Sequence, residues 1–295
     1  MNRRTFLGIT ASALAAFPLV QVARAQVGKR QLKKAINLAM CKDGASTLEK
    51  FQIIKAAGFD GVELNRPDAV PLDEVLRAKE ASGLEIAGVT CTTHWGKPLS
   101  HQDPKEREQG FNGLKLALQE AGELGCRRVL LVPGVVNKDV PYDVCWERSV
   151  EAVKRAVPFA KEANCHIAIE NVWNQFIMSP LEAVRYVEAV GSEWVGWHFD
   201  IGNVVTYGWP EQWVRILGPR ILNVHIKDFS RKKRDTEGLG KGFNIELGEG
   251  DVSWPAVMKA LDEIGYQGYG IAEVSGGDTA RVKFLSERMS QLFAG

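Results

Sequence analysis

A single-domain (β/α)8 barrel is the fold class this sequence predicts, and three observations carry it. Eight short apolar, β-rich runs alternate with longer segments of helical period from residue 35 onward. Strict alternation of that kind makes parallel strands joined by right-handed crossovers. Gly58, Gly83, Gly125, Gly191 and Gly265 stand where helical segments should stop, a few residues before the next strand. The chain left after an N-terminal leader, about 270 residues, fits one such domain. A doubly wound open sheet would give similar local signals, but eight units favour closure.

The elements follow in order. Residues 1–25 read as a cleavable export signal: Arg3 and Arg4 form a basic head, Phe6 to Val22 an apolar stretch broken by Pro18, and Ala23-Arg24-Ala25 a small-residue cleavage site before Gln26. The stretch falls short of the ~20 residues a spanning helix needs, so no stable membrane insertion is expected after cleavage. Residues 26–34 are a short lead, and residues 35–295 form the barrel. Strand one, Ala35–Met40, precedes a helix over Thr47–Ala57, where Leu48, Phe51, Ile54 and Ala57 recur at helical spacing behind Ser46 as cap. Strand two, Gly61–Leu64, precedes a helix over Leu72–Ser82. Strand three, Ile86–Thr92, precedes Glu106–Leu124, and strand four, Arg128–Val132, precedes Asp143–Ala163. His166–Glu170 and Trp194–Asp200 are strands five and six, with helices over Pro180–Val190 and Glu211–Leu217. After strand seven, Ile221–Lys227, comes a long connection, Ser230–Gly250, with a basic run (Arg231, Lys232, Lys233, Arg234) and several glycines. Loops of that length are usually functional or mobile; this one is either a solvated excursion or a cover over the barrel mouth. A helix over Trp254–Ile264, strand eight at Tyr269–Val274 and a last helix over Thr279–Phe293, capped by Asp278, complete the chain.

Composition narrows the partners. A hydrophobic content of 45% and a charged content of 25% belong to an ordinary soluble globule. The formal charge is +1, and loss of Arg3, Arg4 and Arg24 leaves the mature chain slightly acidic. That disfavours any partner held mainly through phosphate charge, so nucleic acid is not expected. The five cysteines are scattered, odd in number and without close pairs, which predicts buried free thiols rather than a disulfide framework.

Chemistry is concentrated at strand ends. Glu170 ends strand five, Asp200 ends strand six, His225 lies near the end of strand seven and Glu273 near the end of strand eight. In a (β/α)8 barrel these ends form one rim, where active sites are built. Each residue follows an apolar run, so each sits at the edge of the core. Any one alone would read as a carboxylate facing water or as a core histidine. Four together need a counter-charge, because burying uncompensated ionisable groups costs several kcal/mol apiece. A divalent cation supplies it. Three carboxylates and an imidazole make a hard, oxygen-rich site that suits Mn2+, Mg2+ or Co2+ more than a thiolate-preferring metal, with Zn2+ as an alternative.

Ala168-Ile169-Glu170-Asn171, Phe199-Asp200-Ile201-Gly202-Asn203, Val224-His225-Ile226-Lys227-Asp228 and Ile271-Ala272-Glu273-Val274 resemble the strand-end motifs of the xylose-isomerase-like TIM-barrel superfamily, in its sugar isomerase/epimerase branch, which includes the ketose 3-epimerases. Gly58-Phe59-Asp60-Gly61-Val62-Glu63-Leu64, Gly248-Glu249-Gly250-Asp251-Val252 and Gly265-Tyr266-Gln267-Gly268-Tyr269 are similar to other stretches of it. The resemblance covers residues 35 to 292. It implies one divalent metal held by Glu170, Asp200, His225 and Glu273, with Glu170 and Glu273 as catalytic acid and base. The metal would stabilise an enediolate formed when a proton leaves the carbon next to a carbonyl. Return of the proton at the same carbon is epimerisation, and at its neighbour isomerisation. The basic head resembles a twin-arginine export signal, which implies a periplasmic or otherwise exported protein.

Two departures bear on the branch. Asn203 stands where the DNA-cleaving nucleases of the superfamily and the ketose 3-epimerases carry histidine, so the latter's sugar specificity does not transfer. Gly242 and Asn244 occupy the place of the nucleases' Asp-x-His pair and cannot ligate a metal cluster. Further substrate contacts are expected at Glu63, His94, Trp95, Trp173, Asn203 and Lys227, although the tryptophans also suit packing and Lys227 also suits solvent. His198 is expected to be a hydrogen-bonded core histidine; His101 and His166 have no expected role. The partner is a small sugar, unphosphorylated if the chain is exported, and a homo-oligomer is compatible with the sequence. A lyase or hydrolase of keto-glycosides would share the first proton transfer, and a non-catalytic sugar-binding barrel would share the site.

Overall fold

The computed structural model describes residues 32–294, and the export signal expected at residues 1–25 lies outside them. Eight parallel strands close into a barrel in chain order, β1 (Lys33–Asn37), β2 (Gly61–Arg66), β3 (Glu85–Cys91), β4 (Arg128–Leu131), β5 (His166–Glu170), β6 (Val195–Asp200), β7 (Ile221–Ile226) and β8 (Tyr269–Ala272), with β8 pairing β1. The expected fold class is the observed one. Between the strands run α1 (Thr47–Ala56), α2 (Leu72–Ser82), α3 (Pro104–Glu123), α4 (Tyr142–Glu162), α5 (Pro180–Val190), α6 (Ile201–Val205), α7 (Pro210–Leu217), α8 (Arg231–Glu237), α9 (Trp254–Glu263) and α10 (Thr279–Ala294).

Local chemistry sets the ends of these helices. Ser46 and Ser179 each close a capping box with Glu49 and Glu182, and Gly83 and Gly191 end α2 and α5 in the left-handed region. Asp278 accepts the backbone N–H of Arg281, as a cap for α10 should. The first strand is shorter than expected. Asn37 accepts the N–H of Ala39 and turns Leu38–Met40 into a 3-10 helix, so the chain leaves the barrel three residues early.

The large apolar core lies between barrel and helices, and strand periodicity decides what remains for the inside. Ile167 and Ile169 of β5, Trp197 and Phe199 of β6, and Val224 and Ile226 of β7 all face outward into that core. Their neighbours Glu170, His198, Asp200, Asn223 and His225 therefore face the barrel interior. Inside, a small apolar group of Ala35, Ala87, Tyr269 and Ile271 forms a separate cluster among the described residues. Ile271 faces in, so Glu273, two residues later, does too. All five cysteines are buried and free, as expected.

The connection over residues 230–250 is ordered. It contains α8 and a 3-10 helix at Leu239–Phe243, neither of which has an apolar period to betray it. Asp228 anchors its return, accepting backbone N–H groups of Gly248 (2.9 Å), Gly250 (3.2 Å) and Val252 (3.3 Å), and the indole N–H of Trp254 (3.1 Å). A Cβ on Gly250 would lie 2.1 Å from Asp228 Oδ1, so only glycine permits that approach.

Candidate metal centre

Glu170, Asp200, His225 and Glu273 converge. One ligand atom from each lies within 4.8 Å of all the others. His225 Nδ1 is 2.9 Å from Glu170 Oε1, 3.4 Å from Glu273 Oε2 and 3.8 Å from Asp200 Oδ2. Asp200 is wholly buried, Glu170 nearly so, and the Glu273 side chain is 40% exposed at the open side. Lys227, on the same face of β7 as His225, closes the group: its Nζ is 2.6 Å from Glu273 Oε2 and 3.2 Å from Asp200 Oδ2.

The fields on the two glutamates differ. Burial pushes the Glu170 carboxyl up to about 7, against the pull of His225. Burial likewise takes Asp200 to about 6 despite Lys227. Glu273 is also desolvated, but His225 and Lys227 outweigh that and hold it at about 2. Burial alone would lower the imidazole of His225; Glu273, Glu63 and Glu170 reverse this and raise it well above its ordinary value. Three carboxylates around one imidazole nitrogen are hard donors at ligand spacing, which fits an oxygen-preferring divalent cation.

Asp200 is held by a neighbour that the sequence reading passed over. Asn171 Oδ1 accepts the N–H of Asp200 and the indole N–H of Trp197, both at 3.0 Å, while its Nδ2 donates to Asp200 O at 2.8 Å. Asp200 Oδ1 in turn accepts the N–H of Asn203 at 2.7 Å. The only sequence signal for Asn171 was its place directly after a strand-end glutamate. Asp228 stood three residues after His225, and Phe243, in a glycine-rich stretch, gave no signal.

The remaining expected residues are distributed as follows. Asn203 is buried, its Nδ2 on Asn171 O and its Oδ1 3.5 Å from Lys227 Nζ. Trp173 donates its indole N–H to Asn203 O at 2.9 Å and packs on Phe243, which also lies under Lys227 Nζ at 4.9 Å from the ring centre. His94 is buried and accepts the N–H of Val132 on Nδ1, so its proton sits on Nε2; desolvation lowers it to about 4 although the Glu273 charge opposes that. Trp95 meets His94 edge-on and is 53% exposed. Glu63 is not at the open rim. It lies 1% exposed on the far side of His225, its oxygens 3.3 and 3.4 Å from Nε2. His198 is a core histidine, as expected, but not a hydrogen-bonded one: among the described residues neither ring nitrogen has a partner, and its ring stands edge-on to His225 at 4.0 Å.

Three of the four basic side chains in the run Arg231–Arg234 are bound to backbone carbonyls, and Lys232 is exposed. Arg231 donates to Val205 O and Gly208 O, Arg234 to Thr206 O and Lys233 to Asn244 O. The run fastens the long connection to the segment after α6.

Residues 51–288 match the family model described as "Xylose isomerase-like TIM barrel". An L-ribulose-5-phosphate 3-epimerase, UlaE, of Escherichia coli O157:H7 (strain EC4115 / EHEC) is 25% identical over 240 residues, which covers 76% of this chain and 81% of the relative. The solved structure of a D-tagatose 3-epimerase-like protein superposes with a TM-score of 0.76 at 19% identity, over 89% of this chain and 97% of the other. That of 3-keto-D-glucoside 4-epimerase, YcjR, from E. coli gives 0.71 at 16% identity, over 90% and 100%. At these identities the structural likenesses speak for the fold.

Proposed function

The chain belongs to the xylose isomerase-like TIM-barrel family, and from that premise we propose that it is a divalent-cation-dependent sugar isomerase or epimerase. The observation that carries this reading is the convergence of Glu170, Asp200, His225 and Glu273, which brings one ligand atom of each within 4.8 Å of the others, with two glutamates from different strands in the same cluster. Two carboxylates that reach one site from different strands can serve as base and acid in turn.

Glu170, Asp200, His225 and Glu273 are the residues that would hold the cation, Mn2+ by preference. When bound, it supplies Lewis-acid stabilisation of the charge that develops on the sugar oxygens. Glu273, ionised and partly open, takes the proton from the carbon next to the carbonyl, and Glu170 returns one from the β5 side. Lys227 and the Nε2–H of His94 are donors for substrate oxygens. Trp173, Phe243 and Trp95 offer aromatic faces to the apolar side of a sugar ring. Arg231, Lys233 and Arg234 are committed to backbone carbonyls, which supports an unphosphorylated ketose, whereas UlaE by name acts on a 5-phosphate. Residues 1–25 support export by the twin-arginine route, and N-terminal sequencing of exported protein should begin at Gln26.

The test is solvent deuterium uptake into a panel of ketoses and keto-glycosides with Mn2+ present. Exchange at the carbon next to the carbonyl, with the sugar intact, is the expected result. Release of an aglycone would make the protein a lyase instead. Tight binding without exchange across the panel would make it a sugar-binding barrel and end the catalytic reading.

A further inference from the structure

We propose that Glu63 is a positioning residue of the cation site: its carboxylate takes the Nε2–H of His225 and thereby commits Nδ1 to the cation. The inference rests on reading Glu170, Asp200, His225 and Glu273 as the ligand set. A neutral imidazole carries one proton on either nitrogen, and a ligating nitrogen must present a lone pair. The two nitrogens of His225 face different surroundings. Nδ1 looks toward Glu170, Glu273 and Asp200, at 2.9, 3.4 and 3.8 Å. Nε2 looks toward Glu63, at 3.3 and 3.4 Å. A carboxylate accepts only, so a hydrogen bond on that side retains the proton on Nε2, and the nitrogen open to a cation in place of a proton is Nδ1, beside the other three carboxylates.

The surroundings of Glu63 are built to keep it there. The side chain is 1% exposed, and the His225 imidazole lies against it. Asn37 Nδ2 donates to Oε2 at 3.1 Å and also reaches Asn65 Oδ1 at 3.2 Å, tying β1 and β2 together beneath the rim. Position 88 on β3 is glycine; a Cβ there would press on Glu63 Oε1 at 3.1 Å. On the other side the His198 ring stands edge-on to His225 at 4.0 Å, interplanar angle 64°, and fixes the plane of the imidazole. Glu63, His198 and His225 also have ligand atoms within 4.8 Å of one another. With one carboxylate and a histidine already committed through its other nitrogen, that trio is better suited to orienting a ligand than to holding a second ion. Partners of this kind set the tautomer and rotation of a ligating histidine, and their loss costs roughly 10- to 100-fold in metal affinity.

The experiment measures Mn2+ binding to the full chain by electron paramagnetic resonance, for the wild type, Glu63→Leu and Glu63→Gln. The wild type binds; Glu63→Leu, similar in volume but with no acceptor, weakens the dissociation constant by about 10- to 100-fold. Glu63→Gln keeps an accepting oxygen and recovers most of that loss. Nitrogen-15 spectra of the Zn2+-loaded wild type show the His225 proton on Nε2, a readout that stands even if Glu63→Leu does not fold. Affinity of Glu63→Leu within about two-fold of wild type, Glu63→Gln as weak as Glu63→Leu, or a proton on Nδ1 would each overturn the proposal. A wild type that binds no Mn2+ would instead bring down the ligand set itself, and the Glu63 assignment with it.

Discussion

Glu170 and Glu273 approach the same imidazole nitrogen from β5 and from the end of β8, and Lys227 sits beside only one of them. Its Nζ bonds Glu273 at 2.6 Å, which keeps that carboxylate charged, while Glu170 relies chiefly on His225 to offset its burial. On the proposed reading, Glu273→Gln should therefore remove the base while Glu170, Asp200, His225 and an amide oxygen remain to hold the cation. Substrate deuterium exchange is expected to fall by about 10²- to 10⁴-fold with Mn2+ still bound, as fluorescence or resonance titration would show; undiminished exchange would remove Glu273 from the chemistry. The same fields make cation binding depend on pH. Glu170 and Asp200 lie above their ordinary values, at about 7 and about 6, so what they add to folded stability is present at low pH and lost as pH rises through those values. Glu273 has the opposite sign, but its window lies below 4.5 and down to about 2. Between pH 5 and 8 the protons on Glu170, Asp200 and His225 compete with the cation. Mn2+ affinity should rise at least about ten-fold across that range, measured at constant ionic strength. A flat profile would mean that these protons are not displaced.

At the scale of elements, the connection from β7 to α9 is where a single side chain organises most backbone. Asp228 accepts from Gly248, Gly250, Val252 and the Trp254 indole, and a buried donor left without an acceptor costs about 1–3 kcal/mol. Asp228→Ala should then lower stability by at least about 3 kcal/mol in urea unfolding, and should loosen Phe243 from Lys227, seen as faster amide exchange over residues 239–252. A loss under about 1 kcal/mol would show that water replaces the carboxylate at little cost. This connection was also the least legible part of the sequence. The strands and amphipathic helices announced themselves because period two and helical spacing are written in side chains that must be buried. Arg231–Glu237 buries none of its residues, so its helix is held by the Ser230 cap and by Arg231 and Arg234 reaching the 205–208 carbonyls. Glu63 shows the same limit in a strand. Its place on β2 was readable, but the register shift between Val62 and Glu63 against β3 and the glycine at position 88 decide which way it reaches, and neither leaves a local pattern. The convergence of Glu170, Asp200, His225 and Glu273 was readable because consecutive strand ends of a closed barrel must share one rim.

For the whole molecule, the four converging candidate ligands come from one half of the ring, β5 to β8, while Asn37 from β1, Glu63 from β2 and the room left by Gly88 on β3 lie on the other half. The interior beneath the site is polar, with His198 and Asn223 Oδ1 lacking partners among the described residues, so the barrel is not closed by apolar filling alone. A cation at the mouth would join strands that the interior joins only weakly. Binding to the folded state alone should add about 2.7 kcal/mol at a hundred-fold excess over the dissociation constant. For a domain of this size that is a rise in Tm of roughly 5–10 °C, reversed by a chelator. Its distribution matters more than its size. Because β8 pairs β1 and the Glu63–His225 contact spans the ring, slowed hydrogen exchange should extend to β1 and β2, which contribute no ligand. Protection confined to β5 through β8 would mean that the two halves open independently, and that the contact across the barrel does not couple them.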